Sequence, residues 1–128
     1  MIFKDPIIKD QFDRCCPMLK LVCMEFERLS MSFNKTPVMT RLIGKIDGDS
    51  GVHSAGRAAD FRDEFDGGFV YTLEERIVII ETIESLFPRL DGLKTIMHHS
   101  FQSGPFHFHV QVAPSIVAYS NMIFPLYS

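Results

Sequence analysis

Phe106-His107-Phe108-His109-Val110-Gln111-Val112 is the stretch on which the reading of this chain turns. In a strand, successive side chains alternate between the two faces. His107 and His109 then point one way, while Phe108 points the other way into a core. Working back along the chain, Leu93 to His98 reads as a neighbouring strand, joined through a loop that contains Ser103-Gly104-Pro105. Ala58 to Arg62 reads as a short strand carrying Asp60, and Pro37 to Ile43 as another. Between these two, the Gly/Asp-rich run Gly44-Lys45-Ile46-Asp47-Gly48-Asp49-Ser50 is a loop that delivers His53. Phe65 to Phe69, with its Gly67-Gly68 pair, reads as a turn.

Two helices complete the pattern. From Met18 to Leu29 the apolar residues Leu19, Val22, Cys23, Phe26 and Leu29 recur at spacings of three and four, which predicts an amphipathic helix. Pro17 suits its first turn, and the residues before it read as a separate short helix. Thr72-Leu73-Glu74-Glu75 is a capping box, in which the Thr oxygen and the Glu carboxylate satisfy each other's backbone amides. It opens a helix through Ile77, Ile80, Ile83 and Phe87, which Pro88 ends. The apolar tail from Pro114 to Ser128 is expected to pack on the domain. The sum is an α+β fold, with helices packed against a small, mostly antiparallel sheet.

The chain has 128 residues, no repeat, no low-complexity tract and no long linker, so one domain over 1–128 is expected. Hydrophobic residues make up 46%, enough for a core, and the net charge of −3 offers no basic field for nucleic acid or an anionic membrane. Met1-Ile2-Phe3-Lys4-Asp5-Pro6 has no apolar stretch fit for a signal peptide, and no later run is long enough to span a bilayer. The expectation is a chain made in the cytoplasm that reaches anything outside only after release. Cys15, Cys16 and Cys23 are odd in number, and two are adjacent, so they read as reduced thiols in a core rather than as a metal site.

The chemistry lies in a split pair of motifs. Ser50-Gly51-Val52-His53-Ser54-Ala55-Gly56-Arg57-Ala58-Ala59-Asp60 places a histidine and an aspartate seven positions apart, well upstream of His107-Phe108-His109. Two imidazoles and one carboxylate form a three-ligand zinc set that leaves a position open for water, as catalytic sites do and structural sites do not. Gly56 permits a tight turn, and Ala58 is small enough for close packing beside a metal. Asp60 sits between Ala59 and Phe61, where an unpaired carboxylate would be costly and a metal would remove the cost. Four of the five histidines fall between His98 and His109.

An upstream Ser before His-x6-Asp, with Gly and Ala at internal positions and a distal His-x-His, resembles the zinc peptidases that unite lysostaphin, the D-alanyl-D-alanine carboxypeptidases and the hedgehog fold. The Gly56-Arg57-Ala58-x-Asp60-Phe61 wording is most similar to the D-Ala-D-Ala carboxypeptidase family, which includes compact phage endolysins. The resemblance spans Val38 to Val112. It implies a zinc metallopeptidase that cuts the peptides of bacterial peptidoglycan in the cell wall, as a carboxypeptidase or an endolysin of phage lysis. It makes His53, Asp60 and His109 the zinc ligands, with His107 as the catalytic histidine. Arg41, at the end of the preceding strand, resembles an arginine that contacts substrate or steadies the oxyanion, and Ser50 a supporting substrate-binding residue. The chain departs from the pattern at Phe106, where many members carry a glutamate three residues before the last ligand as general base. That puts proton handling on His107, with His98 and His99 as further candidates. Arg57 and Arg62 are read either as binders of a substrate carboxylate or as solvated arginines at strand edges. The alternative function is a non-hydrolytic zinc-binding module of the same fold, serving in phage or wall assembly.

Overall fold

The computed structural model describes residues 1–43, 56–100 and 102–114. Two strands and two helices open the chain: β1 (Ile2–Phe3), α1 (Pro6–Asp13), α2 (Pro17–Ser32) and β2 (Val38–Arg41). After residues 44–55 come β3 (Ala58–Arg62), β4 (Glu64–Phe65), β5 (Gly68–Phe69), α3 (Leu73–Leu86), β6 (Ile96–His99) and β7 (His107–Gln111). The fold is α+β. The five-stranded sheet runs β1-β2-β3-β7-β6, and β4 and β5 form a separate hairpin.

The sheet is mixed rather than antiparallel, because β1 joins β2 in parallel while the other neighbours are antiparallel. The reason is connectivity. Residues between β1 and β2 form α1 and α2, and such a helical crossover returns the chain in the same direction. Phe65 to Phe69 is not a bare turn but the β4–β5 hairpin, with Asp66 and Gly67 at positive φ between its strands. The expected tail beyond Pro114 lies outside the described residues.

Helices α1 and α3 open on side-chain caps. Asp5 caps α1 by accepting from the Ile8 amide at 3.1 Å. In α3 the capping box forms, with Glu75 N–H donating to the Thr72 hydroxyl (3.2 Å) and Thr72 N–H to the Glu75 carboxylate (2.8 Å). The buried face of α2 carries the expected Leu19, Val22, Cys23, Phe26 and Leu29. In α3 the fully buried pair is Ile79 and Ile83, while Ile77 is exposed. A run of four aliphatics, Ile77-Val78-Ile79-Ile80, has no polar break from which the face could be read.

Helix α2 lies against β3 and β7, α3 lies against β6, and the two helices touch, so both cover one face of the sheet. Phe26 of α2 stacks on Phe61 (centroids 4.1 Å apart) and meets Phe108 edge-on (5.1 Å). Tyr71 closes this aromatic cluster and bonds Ser30 at 2.8 Å, whose hydroxyl in turn donates to the Phe26 carbonyl. Burial raises the Tyr71 phenol to a pKa of about 12 and the Cys15 thiol to about 11. Cys15 and Cys23 are free thiols within this core. Among the described residues, no helix is long and apolar enough to cross a membrane. The packed face is therefore mainly apolar, with Ser30 and Asp63 among its few buried polar side chains.

Candidate metal centre

Register decides which residues meet. In the β3–β7 ladder Asp60 pairs with His109 and Arg62 with His107. In β6–β7 His99 pairs with His107, and in β2–β3 Arg41 pairs with Asp60. Directly opposed residues of a ladder point to the same face. Arg41, Asp60, Arg62, His99, His107 and His109 therefore share the face away from the helices. Phe108 is fully buried on the helix side, as the alternation of the strand requires.

Asp60 is the centre of the group. Its side chain is 7% exposed. Its Oδ1 lies 2.9 Å from His109 Nδ1 and 3.7 Å from His107 Nε2, and its Oδ2 lies 3.8 Å from an Arg41 Nη. The Arg41 contact is an ion pair without hydrogen-bond geometry. His107 has its tautomer fixed from behind, since Nδ1 faces the Pro105 carbonyl at 3.2 Å and must donate to it. Its Nε2 is then the basic nitrogen, turned toward Asp60. His99 packs against both neighbours, with ring centroids 4.8 Å from His107 and 5.4 Å from His109. Burial first, and then those two imidazoles, push its pKa below the ordinary value, so at neutral pH it is an uncharged ring.

His109 carries the informative conflict. Its Nε2 faces Gln111 Oε1 at 3.0 Å, and Gln111 is oriented by donating its amide to the Lys94 carbonyl at 3.0 Å. Its Nδ1 faces a carboxylate oxygen. A neutral imidazole has one N–H, yet here both nitrogens look at oxygen acceptors. Exchanging the O and N of the Gln111 amide only moves the conflict to Lys94. The contact is satisfied by a second proton on the ring or by a cation between Nδ1 and Asp60. Two ligands on one tetrahedral zinc stand roughly 3.3 Å apart, given bonds of about 2.0–2.1 Å; the 2.9 Å between Asp60 and His109 is a hydrogen-bond length, so a shared metal would have to replace that bond and part the two groups slightly. Nε2–H donating to Gln111 is the outer support that a metal-bound histidine ordinarily has.

The expected ligand His53 and the supporting Ser50 lie outside the described residues. Asp60, His109, His107 and Arg41 are brought together. Among the described residues, no three His, Cys, Asp or Glu side chains converge as a complete ligand set. Gly56, at φ +71°, makes the tight turn into β3 that its residue type permits.

His98 does not join this group. It faces the helix side opposite Phe108 in the ladder, and its Nε2 donates to Asp63 Oδ2 at 2.6 Å. Asp63, fully buried, also accepts from Arg76 Nε (2.8 Å) and the Tyr71 amide (3.0 Å). Burial works to raise the Asp63 pKa, but His98, Tyr71 and Arg76 together hold it below the ordinary carboxylate value. Phe106 lies flat on the His98 ring, with centroids 5.4 Å apart and planes at 11°, so position 106 serves that pocket. Two functional partners had no place in the sequence reading, Gln111 and Asp63. Gln111 was findable, because it stands two residues beyond His109 and so on the same strand face. Asp63 had no such signal, since its role depends on where α3 docks.

Comparison of the chain with protein-family models, with curated proteins and with solved structures finds no match in any of the three.

Proposed function

We propose that this chain is a zinc-dependent peptidase acting on the peptides of bacterial peptidoglycan, with His53, Asp60 and His109 as its metal ligands. The observation that carries the reading is the buried 2.9 Å contact between Asp60 and His109, in which a cation can take the place of the shared proton. The resemblance of the two motifs to the D-Ala-D-Ala carboxypeptidases supplies the substrate class. Bound zinc would contribute a water acidified to a pKa of about 7 and a polarised carbonyl. The remaining steps belong to the protein. His107, with Nδ1 held by Pro105, presents Nε2 to accept a proton from the attacking water and pass it to the leaving amine. Arg41, ion-paired to Asp60 at one edge of the site, stands where it can steady charge developing on the carbonyl oxygen. Gln111 keeps the His109 ring from rotating. Ser50 is assigned a supporting contact to substrate. Work on the wall would follow release of the cell contents or delivery in a virion.

A second reading is supported by Phe106. The family's glutamate is missing there, and the ring is committed to His98, so a zinc-holding module without turnover is the alternative. Digestion separates the two. The peptidase should release new amine groups from purified peptidoglycan and leave casein intact, while His107→Ala keeps its zinc and loses on the order of a hundredfold in rate. A protein that holds zinc and cuts neither substrate is the binding module. One that cuts casein and leaves walls untouched is a different peptidase.

A further inference from the structure

Arg62 is the one arginine of seven whose guanidinium reaches no acceptor among the described residues. Arg14, Arg28, Arg41, Arg76 and Arg89 each meet a carboxylate, and Arg57 donates to the Val112 carbonyl at 3.0 Å. Arg62 instead lies over the exposed Phe65 ring, its guanidinium carbon 4.0 Å from the centroid. It is partly buried, and it sits opposite His107 in the ladder, on the face that carries Asp60 and His109. This cation–π contact uses none of the five N–H donors of the guanidinium. A planar fork held in place with its donors unused matches a carboxylate, which it can grip with two parallel bonds.

Two of the nearby carboxylates are already engaged. Glu64, two residues on, accepts from the Phe106 amide at 2.9 Å. Asp60 is claimed by His109 and Arg41. Beyond Phe65, the hairpin and Ser103, Gly104 and Pro105 line a shallow open groove of about 370 Å³, whose lining also includes the carboxylates of Glu64 and Asp66. A peptide leaving the metal centre past His107 meets Arg62 within about one residue, since directly opposed strand residues have Cβ atoms about 5 Å apart.

We propose that Arg62 is a specificity-determining residue that binds a substrate carboxylate close to the scissile bond. This rests on the peptidase reading for its substrate. The carboxylate has two sources, the free end of the chain or an acidic side chain within it.

The test reads binding rather than turnover. Zinc-loaded protein is titrated with three capped peptides: one ending in D-Ala-D-Ala with a free carboxylate, the same peptide as its terminal amide, and an amidated peptide carrying an internal D-Glu carboxylate. The Arg62 Nε–H resonance reports contact. An acid peptide should shift it and bind more tightly than the plain amide. Arg62→Gln should weaken acid binding by about 10- to 100-fold, the usual scale for a hydrogen bond to a charged group, and leave the amide unaffected. Arg62→Lys, which keeps the charge and loses the fork, should fall between. Selection of the first peptide identifies the chain end as the source, and selection of the third identifies the internal acid. Equal binding of acids and amide, no binding of any, or an unchanged Arg62→Gln overturns the proposal. Acid binding through Arg62 without cleavage upholds it and removes the peptidase reading. Cleavage indifferent to the carboxylate and to Arg62 does the reverse.

Discussion

His98 with Asp63 and His109 with Asp60 are two histidine–carboxylate pairs on opposite faces of one sheet, alike in distance and unlike in what surrounds them. The first pair is complete. Asp63 receives three donors, from His98, Arg76 and the Tyr71 amide, and each of them points a proton at an oxygen. In the second pair, among the described residues, both ring nitrogens of His109 face oxygens, because Gln111 also presents one to it. What separates a structural pair from a candidate metal site is therefore the partner of the second nitrogen, not the histidine or the carboxylate. The Asp63 network ties the β3–β4 junction to α3 and β6, and so belongs to stability. The Asp60 group faces away from the helices and is where the metal is proposed.

The largest effect that would break this contrast is on stability. Asp63→Asn leaves Arg76 without its carboxylate in a closed site, which costs roughly 3–5 kcal/mol in comparable buried pairs. Denaturant unfolding should show that loss, while the folded fraction still takes up zinc. Asp60→Asn should behave in the opposite way. Its amide can donate to His109 Nδ1 while Nε2–H donates to Gln111, so the metal-free protein should be close to wild type in stability. Equal destabilisation by both substitutions would erase the distinction.

The two pairs also differ in how acid should affect them. The Asp63 carboxyl titrates below its ordinary value of 3.8 in the folded protein. Its contribution to stability is complete above 3.8 and is lost as pH falls through the lower folded value. Acid unfolding of the wild type should show this steep limb, and Asp63→Asn should lack it.

A smaller effect sharpens the other half. Gln111→Leu removes the acceptor that orients His109 without touching a ligand. Loss of such an outer partner typically lowers metal affinity by about 10- to 100-fold. Competition with a chelating dye should find that loss with the melting temperature of the metal-free protein little changed. An unaltered affinity would mean that Gln111 does not support the ring.

Much of this was legible in the chain. The strand Ala58–Arg62 and the alternation of His107, Phe108 and His109 follow from a period of two, and the start of α3 follows from Thr72 and Glu75. The α+β class follows from those elements. The parallel β1–β2 pairing does not, because a two-residue strand carries no periodicity. The site was half legible for a similar reason. Adjacent residues such as His98 and His99 must face opposite ways, but which one joins His107 depends on the register of β6 against β7. Only the pairing of His99 with His107 settles it, and it leaves His98 with Asp63.

The central claim is that Asp60 and His109, with His53, share a metal, and zinc content measures it most directly. Elemental analysis of the purified wild type should find about one zinc per chain, as a single three-ligand site requires. Folded Asp60→Asn and His53→Ala should retain only background metal, while Asp63→Asn, measured in its folded fraction, should match the wild type. Equal zinc in the wild type and Asp60→Asn, or none in either, would contradict the account.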